Sequence, residues 1–109
     1  MCVVVSGDAY LIPVFDPEKY ELLATGGPVL HVLAAKEEGL LLLASPWVVT
    51  GVGSEGVGWQ TTRLAVDGIR LDEIREGWLA GVADPEDEQP IDFFIDLRTG
   101  RHEGGAQLG

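Results

Sequence analysis

Three observations predict a mainly β chain, an antiparallel meander forming a small sandwich or barrel, with one short helix near residues 17–24. Apolar and β-branched runs of strand length recur along the sequence. Between them stand Glu38-Gly39, Asp67-Gly68, Glu76-Gly77 and Thr99-Gly100, and glycine supplies the positive φ that tight hairpin turns need. Only one stretch carries helix-boundary chemistry.

Taken in order, the expected strands are residues 3–5, 10–14, 29–35, 40–44, 47–52, 60–66, 78–83 and 91–97. Neighbours joined by such short turns run antiparallel, because a parallel crossover needs about a dozen residues or more. The helix is expected where Asp16 offers a capping oxygen, Pro17 fits the first helical position and Glu18 sits at the positive end of the dipole. Gly26-Gly27 supplies its stop. Between residues 69 and 76, Leu71, Ile74 and Trp78 match a helical stripe, but the flanking Asp-Gly and Glu-Gly turns favour a strand, which is the reading adopted.

A chain of 109 residues supports one hydrophobic core, so residues 1–109 are read as a single domain. Hydrophobic residues at 46% and charged residues at 23% fall in the globular range. Eighteen acidic residues against seven basic ones give a net charge of −11, which repels both a phosphate backbone and an anionic bilayer. Nucleic acid and membrane are therefore not expected partners. The start, Met1-Cys2-Val3-Val4-Val5, has neither the basic region nor the apolar length of a signal peptide, so a cytoplasmic location is expected. Cys2 stands alone, which excludes an internal disulfide; no Cys/His spacing suits zinc, and no cofactor is expected. The absence of Asn, with only three Gln, is a thermophile-like composition.

Residues 29–35 and 40–44 are apolar on both alternating faces, whereas a one-sided antiparallel strand shows a polar residue at every second position. Both faces need cover, and the helix supplies only part of it, so self-association into a homo-oligomer is expected. Residues 91–97 differ: Phe93, Ile95 and Leu97 fall on one face, and Asp92, Phe94 and Asp96 on a wet one.

The segment Gly51-Val52-Gly53-Ser54-Glu55-Gly56 satisfies G-x-G-x-x-G, but the following Val57-Gly58-Trp59 opens no helix to hold a pyrophosphate, so a surface loop is expected instead. Trp59, with Gly53, Ser54 and Glu55, is the expected partner-binding set, Trp59 being the tryptophan expected at the surface. G-x-S-x-G fails at Val52, and neither His31, in an apolar strand, nor His102 is placed beside Ser54 by the sequence. Cys2 among valines is read as inert. The run from Asp84 to Glu88, bounded by Pro85 and Pro90, lacks a calcium-loop pattern and reads as a solvated acidic loop. Asp92 and Asp96 bracket Phe94 on one face; with Arg63 and His102 they form an alternative polar site assembled across strands.

In the second half, Asp96-Leu97-Arg98-Thr99-Gly100 resembles the D-x-x-T-G that closes the outer strand and turn of blades in several β-propeller repeat families. The likeness covers five residues, with hairpin rhythm around them, and implies at most about two four-stranded blades in this chain; a ring of four or more then needs oligomerisation. The chain as a whole is similar to small bacterial β-rich proteins without an assigned activity. The expectation is a non-enzymatic interaction or assembly module, with a homo-oligomeric or other protein partner and no catalytic or metal-binding residues. The alternative is a small enzyme or ligand-binding protein using the polar set.

Overall fold

The computed structural model describes residues 2–12, 18 and 21–105, and among them are eleven strands and no helix. In chain order these are β1 (Cys2–Val5), β2 (Asp8–Leu11), β3 (Glu21–Leu22), β4 (His31–Ala35), β5 (Leu40–Ala44), β6 (Val49–Gly53), β7 (Gly56–Gln60), β8 (Ile69–Arg75), β9 (Trp78–Ala83), β10 (Ile91–Asp96) and β11 (His102–Gly104). They form three antiparallel meanders: β1-β2-β3, β4-β5-β6-β7 and β8-β9-β10-β11. The mainly β reading holds. The sheets stay open and stack as layers, giving extents of 47 × 29 × 22 Å, and no closed barrel forms among the described residues.

Each sheet starts with a hairpin whose turn needs glycine. Ser6-Gly7 and Glu76-Gly77 both place two successive residues at positive φ (49° and 83°; 51° and 82°), the geometry that matches the right-handed twist of the flanking strands. The second and third sheets also repeat in sequence: Glu38-Gly39 opens β5 and Ala44-Ser45-Pro46 ends it, while Glu76-Gly77 opens β9 and Ala83-Asp84-Pro85 ends it.

The middle sheet is the shared wall. Along β5, Leu42 and Ala44 pack with Val49 against Leu79, Ala83, Phe93 and Ile95 of the third sheet, all fully buried. Leu43 and Val52 face the other way, against Ala9 and Leu23 of the first sheet. Both faces of the all-apolar β5 are thus covered from within the chain, which explains a strand without polar alternation.

The helix expected at residues 17–24 is overturned in its second half. Glu21 and Leu22 are β3, paired with Leu11 and Tyr10, and the Leu23 N–H donates to the Ala9 carbonyl at 2.8 Å. Leu23 is buried while Leu22 is 59% exposed, a period of two. A helix of about eight residues is marginal on its own, so cross-strand pairing and burial of Leu23 outweigh the capping signals. Pro17, Lys19 and Tyr20 lie outside the described residues, as do Pro13 and Val14 of the expected second strand.

The strand expected at 60–66 lies instead at Gly56–Gln60. Residues 61–68 form the connection from β7 to β8, and their backbone bonds go elsewhere. Leu64 N–H donates to Trp47 C=O and Gly68 N–H to Pro46 C=O, both at 2.8 Å. Val66 and Asp67 N–H groups donate to the Asp84 carboxylate at 3.1 and 2.7 Å. With Leu64 and Ala65 fully buried, this connection closes one edge of the core. Residues 69–76 are read correctly as a strand, with a bulge between Leu71 and Glu73.

No helix of the described residues is long and apolar enough to cross a membrane.

Candidate functional site

The wet face expected on the last long strand is the uncovered outer face of the third sheet. Register assembles it in rows. Arg70, Val82 and Asp92 form one row; Glu73, Ala80, Phe94 and Glu103 the next; Arg75, Trp78 and Asp96 the third. Phe94 is 45% exposed and Trp78 40%, although the opposite face of the same strands is buried. They sit diagonally on adjacent strands, about 7–8 Å apart by strand geometry.

The charges around these rings divide into matched and unmatched. Arg70 Nε meets Asp72 Oδ1 at 2.7 Å, Arg75 approaches Glu73 at 3.6 Å, and Arg98 approaches Asp96 at 3.5 Å. The bond to Asp72, with its charge, raises the Arg70 guanidinium above its ordinary pKa. The backbone N–H of Arg98, with its nearby guanidinium, holds the Asp96 carboxyl below the ordinary aspartate value. The Asp92 and Glu103 carboxylates, both exposed, flank Phe94 without an ion pair or side-chain hydrogen bond among the described residues, although the Asp92 charge acts on Arg70; Arg101, exposed and opposite Asp96, has no ion pair either.

The alternative polar set does not converge. Asp92 and Asp96 share the free face, but four strand residues place them about 13 Å apart, wider than any paired-carboxylate mechanism uses. Arg63 is spent on the carbonyls of Ala65 and Val66, at 3.0 Å each. The His102 ring meets the Thr62 hydroxyl at 2.9 Å, and its register partner Ile95 places it on the inward side. Sequence alone does not place Glu103 and Trp78 on this face, because they join it only through pairing with Phe94 and Asp96.

The expected surface loop at 51–59 is a hairpin, β6 and β7 joined at Gly53, Ser54, Glu55 and Gly56. Gly53, Ser54 and Glu55 occupy its tip, and Gly53 and Ser54 line a cleft of about 330 Å³ with Cys2, Leu11, Lys36 and Leu41. Burial pushes the Cys2 thiol up, in keeping with an unreactive cysteine. His31, read from the sequence as part of an apolar strand, is exposed on the edge strand β4.

Trp59 is not the exposed tryptophan; it is half-buried against the main core, and Trp78 is the exposed one. Its indole lies over Gly51, where a Cβ would stand 2.5 Å from the ring, and over Gly100, where a Cβ would stand within 2.9 Å of it. Its Nε1–H donates to the Leu97 carbonyl at 2.7 Å. Gly100 belongs to the D-x-x-T-G turn, which ties itself down. Asp96 Oδ1 accepts from Arg98 N–H at 3.0 Å, the Asp96 carbonyl from Gly100 N–H at 2.8 Å, and Thr99 Oγ1 from Arg101 N–H at 3.2 Å. Gly100 has φ +78°, so the turn and the tryptophan seat both need glycine there.

The acidic loop lines an open cleft of about 500 Å³ with Asp67, Asp84, Glu86, Asp87 and Glu88. Asp84 is committed to the backbone of residues 66 and 67, and no three His, Cys, Asp or Glu among the described residues are placed to hold a metal ion.

Comparison of the chain with protein-family models, with curated proteins and with solved structures gives no match.

Proposed function

We propose that this chain is a non-enzymatic interaction module whose docking surface is the free face of β8–β11. The observation that carries the reading is the pair Phe94 and Trp78, 45% and 40% exposed on a sheet whose other face is core. Large aromatics left out on a flat, regular face mark contact surfaces, since aromatic residues are enriched where proteins meet. The four-stranded sheets are read as blade-like units, with D-x-x-T-G at the turn between the third and fourth strands of the last one. In a closed ring every blade face is covered by the next; an open stack leaves its terminal face available for a partner.

The test is a random-peptide display selection on the chain, counter-selected against Phe94→Lys, alongside light scattering across protein concentration and salt. Peptides enriched on the native chain alone, or a self-associated species lost in Phe94→Lys, support the reading. A strict monomer that enriches no peptide over the variant refutes it.

A further inference from the structure

We infer that β4 is the edge through which a second copy of this chain docks, the two strands pairing antiparallel about Val32 so that the middle sheet runs unbroken from one copy into the other. This goes beyond the docking-face reading and does not rest on it.

The edges of the three sheets differ in how they are guarded. An edge strand leaves alternate N–H and C=O groups unpaired, and proteins protect it with charge, proline, a bulge or shortness. β3 and β11 are two and three residues long. β8 carries Arg70, Asp72, Glu73 and Arg75, with a bulge between Leu71 and Glu73. β7 meets β6 through a register shift and holds glycine at 56 and 58. β1 is uncharged but four residues long. β4 has five residues and none of these devices: from His31 to Ala35 there is no Asp, Glu, Lys, Arg or Pro, and its register with β5 is unbroken. Leu30 and Val32 stand beside this edge 58% and 49% exposed.

The sequence around β4 selects a second copy as the partner. Pairing about Val32 sets that side chain on its own counterpart and Leu30 against Ala34, large against small, with no polar side chain in the row. The same arrangement carries the two Glu37-Glu38 turns about 30 Å apart, beyond the screening length of about 8 Å, so the net charge of −11 is not gathered at the contact. Lys36, without an ion pair among the described residues, then lies beside Pro28 of the other copy. There the Val29 N–H donates to the Gly7 carbonyl at 2.7 Å, and the next residue, Asp8, is exposed. A cation of each copy thus meets a carboxylate of the other, twice by symmetry. An unrelated strand gains the backbone bonds without these matches.

Sedimentation velocity of the full chain across concentration reads the contact, which at this size is weak and needs concentrated protein. A dimer is expected. Val32→Lys weakens it about tenfold or more, because each introduced ammonium faces its copy, while Phe94→Lys leaves it unchanged. Unchanged amide positions in the core confirm that each variant is folded. Cross-linking is an independent readout. In a Cys2→Ser background, the thiols introduced by Val32→Cys stand on Cβ atoms about 5 Å apart across the pair. Oxidised glutathione joins them, itself reduced to two thiols, faster than it joins those of Val66→Cys, a position 54% exposed. A dimer lost in Phe94→Lys and kept in Val32→Lys overturns the edge and supports the docking face. Loss in Val5→Lys with Val32→Lys unaffected moves the contact to β1 and also overturns the inference. A strict monomer at about 1 mM, with equal cross-linking at both positions, overturns it and leaves the docking face to its own test.

Discussion

Replacing Gly100 by alanine tests whether the tryptophan seat holds the second and third sheets together. Two costs add. A Cβ at φ +78° places an L residue in the left-handed region, at about 1 kcal/mol. The same Cβ would lie 2.8–2.9 Å from three atoms of Trp59, so the indole must move and release its 2.7 Å bond to the Leu97 carbonyl. Losing that bond costs about 1–2 kcal/mol. The sum, about 2–3 kcal/mol, lowers Tm by roughly 10–15 °C for a domain of this size. Gly39→Ala is the control: its φ is +69°, but nothing stands within 4 Å of the added Cβ, so only the strain remains, about 1 kcal/mol. Thermal and urea unfolding followed by circular dichroism measure both. In a Trp59→Ala background the Gly100→Ala cost falls to the control value, because the clash has lost its partner. Equal losses for Gly100→Ala and Gly39→Ala in the native background refute the seat.

Other consequences are open to simple measurement. Asp84→Ala removes the buried acceptor of the residue 66 and 67 N–H groups and lowers stability by about 2–3 kcal/mol, with Asp84→Asn costing less; urea unfolding reads both. Asp96 has a depressed folded pKa, so its contribution is present above the unfolded value and is lost as pH falls through the folded one. Its carboxyl, followed by NMR, titrates below the ordinary aspartate value, and Arg98→Ala moves the midpoint up; an unmoved midpoint refutes the guanidinium's share. Cys2, with its thiol pushed up by burial, reacts with iodoacetamide at pH 8 more slowly than glutathione does, and at the glutathione rate once the chain is unfolded.

What the sequence discloses here is local. Gly39 and Gly77 announce their hairpins because a tight turn with positive φ has few other solutions, and β5 and β9 then follow with correct ends. Asp92, Phe94 and Asp96 reveal a wet face by simple alternation, and Phe94 is indeed exposed. Failures occur where a distant element claims the residues. Gly51 and Gly58 read as loop glycines, yet Gly51 serves as a flat floor for Trp59. Asp16 and Pro17 signal a helix, but Tyr10 and Leu11 recruit Leu22 and Glu21 into a sheet. Glu103 gives no sign in sequence of joining Phe94, because cross-strand register is a property of the folded sheet.

The layers are joined in series, and the links are unequal. The first sheet is attached through a small cluster built on Ala9, Leu23, Val29, Leu43 and Val52, whereas the third shares the larger core around Phe93, Leu42 and Leu79. Thermal fluctuation therefore has a preferred place to begin: the N-terminal layer can lift away and reclose while the other two remain folded. Amide exchange in β2 then reports this partial opening, and exchange in β9 and β10 reports complete unfolding.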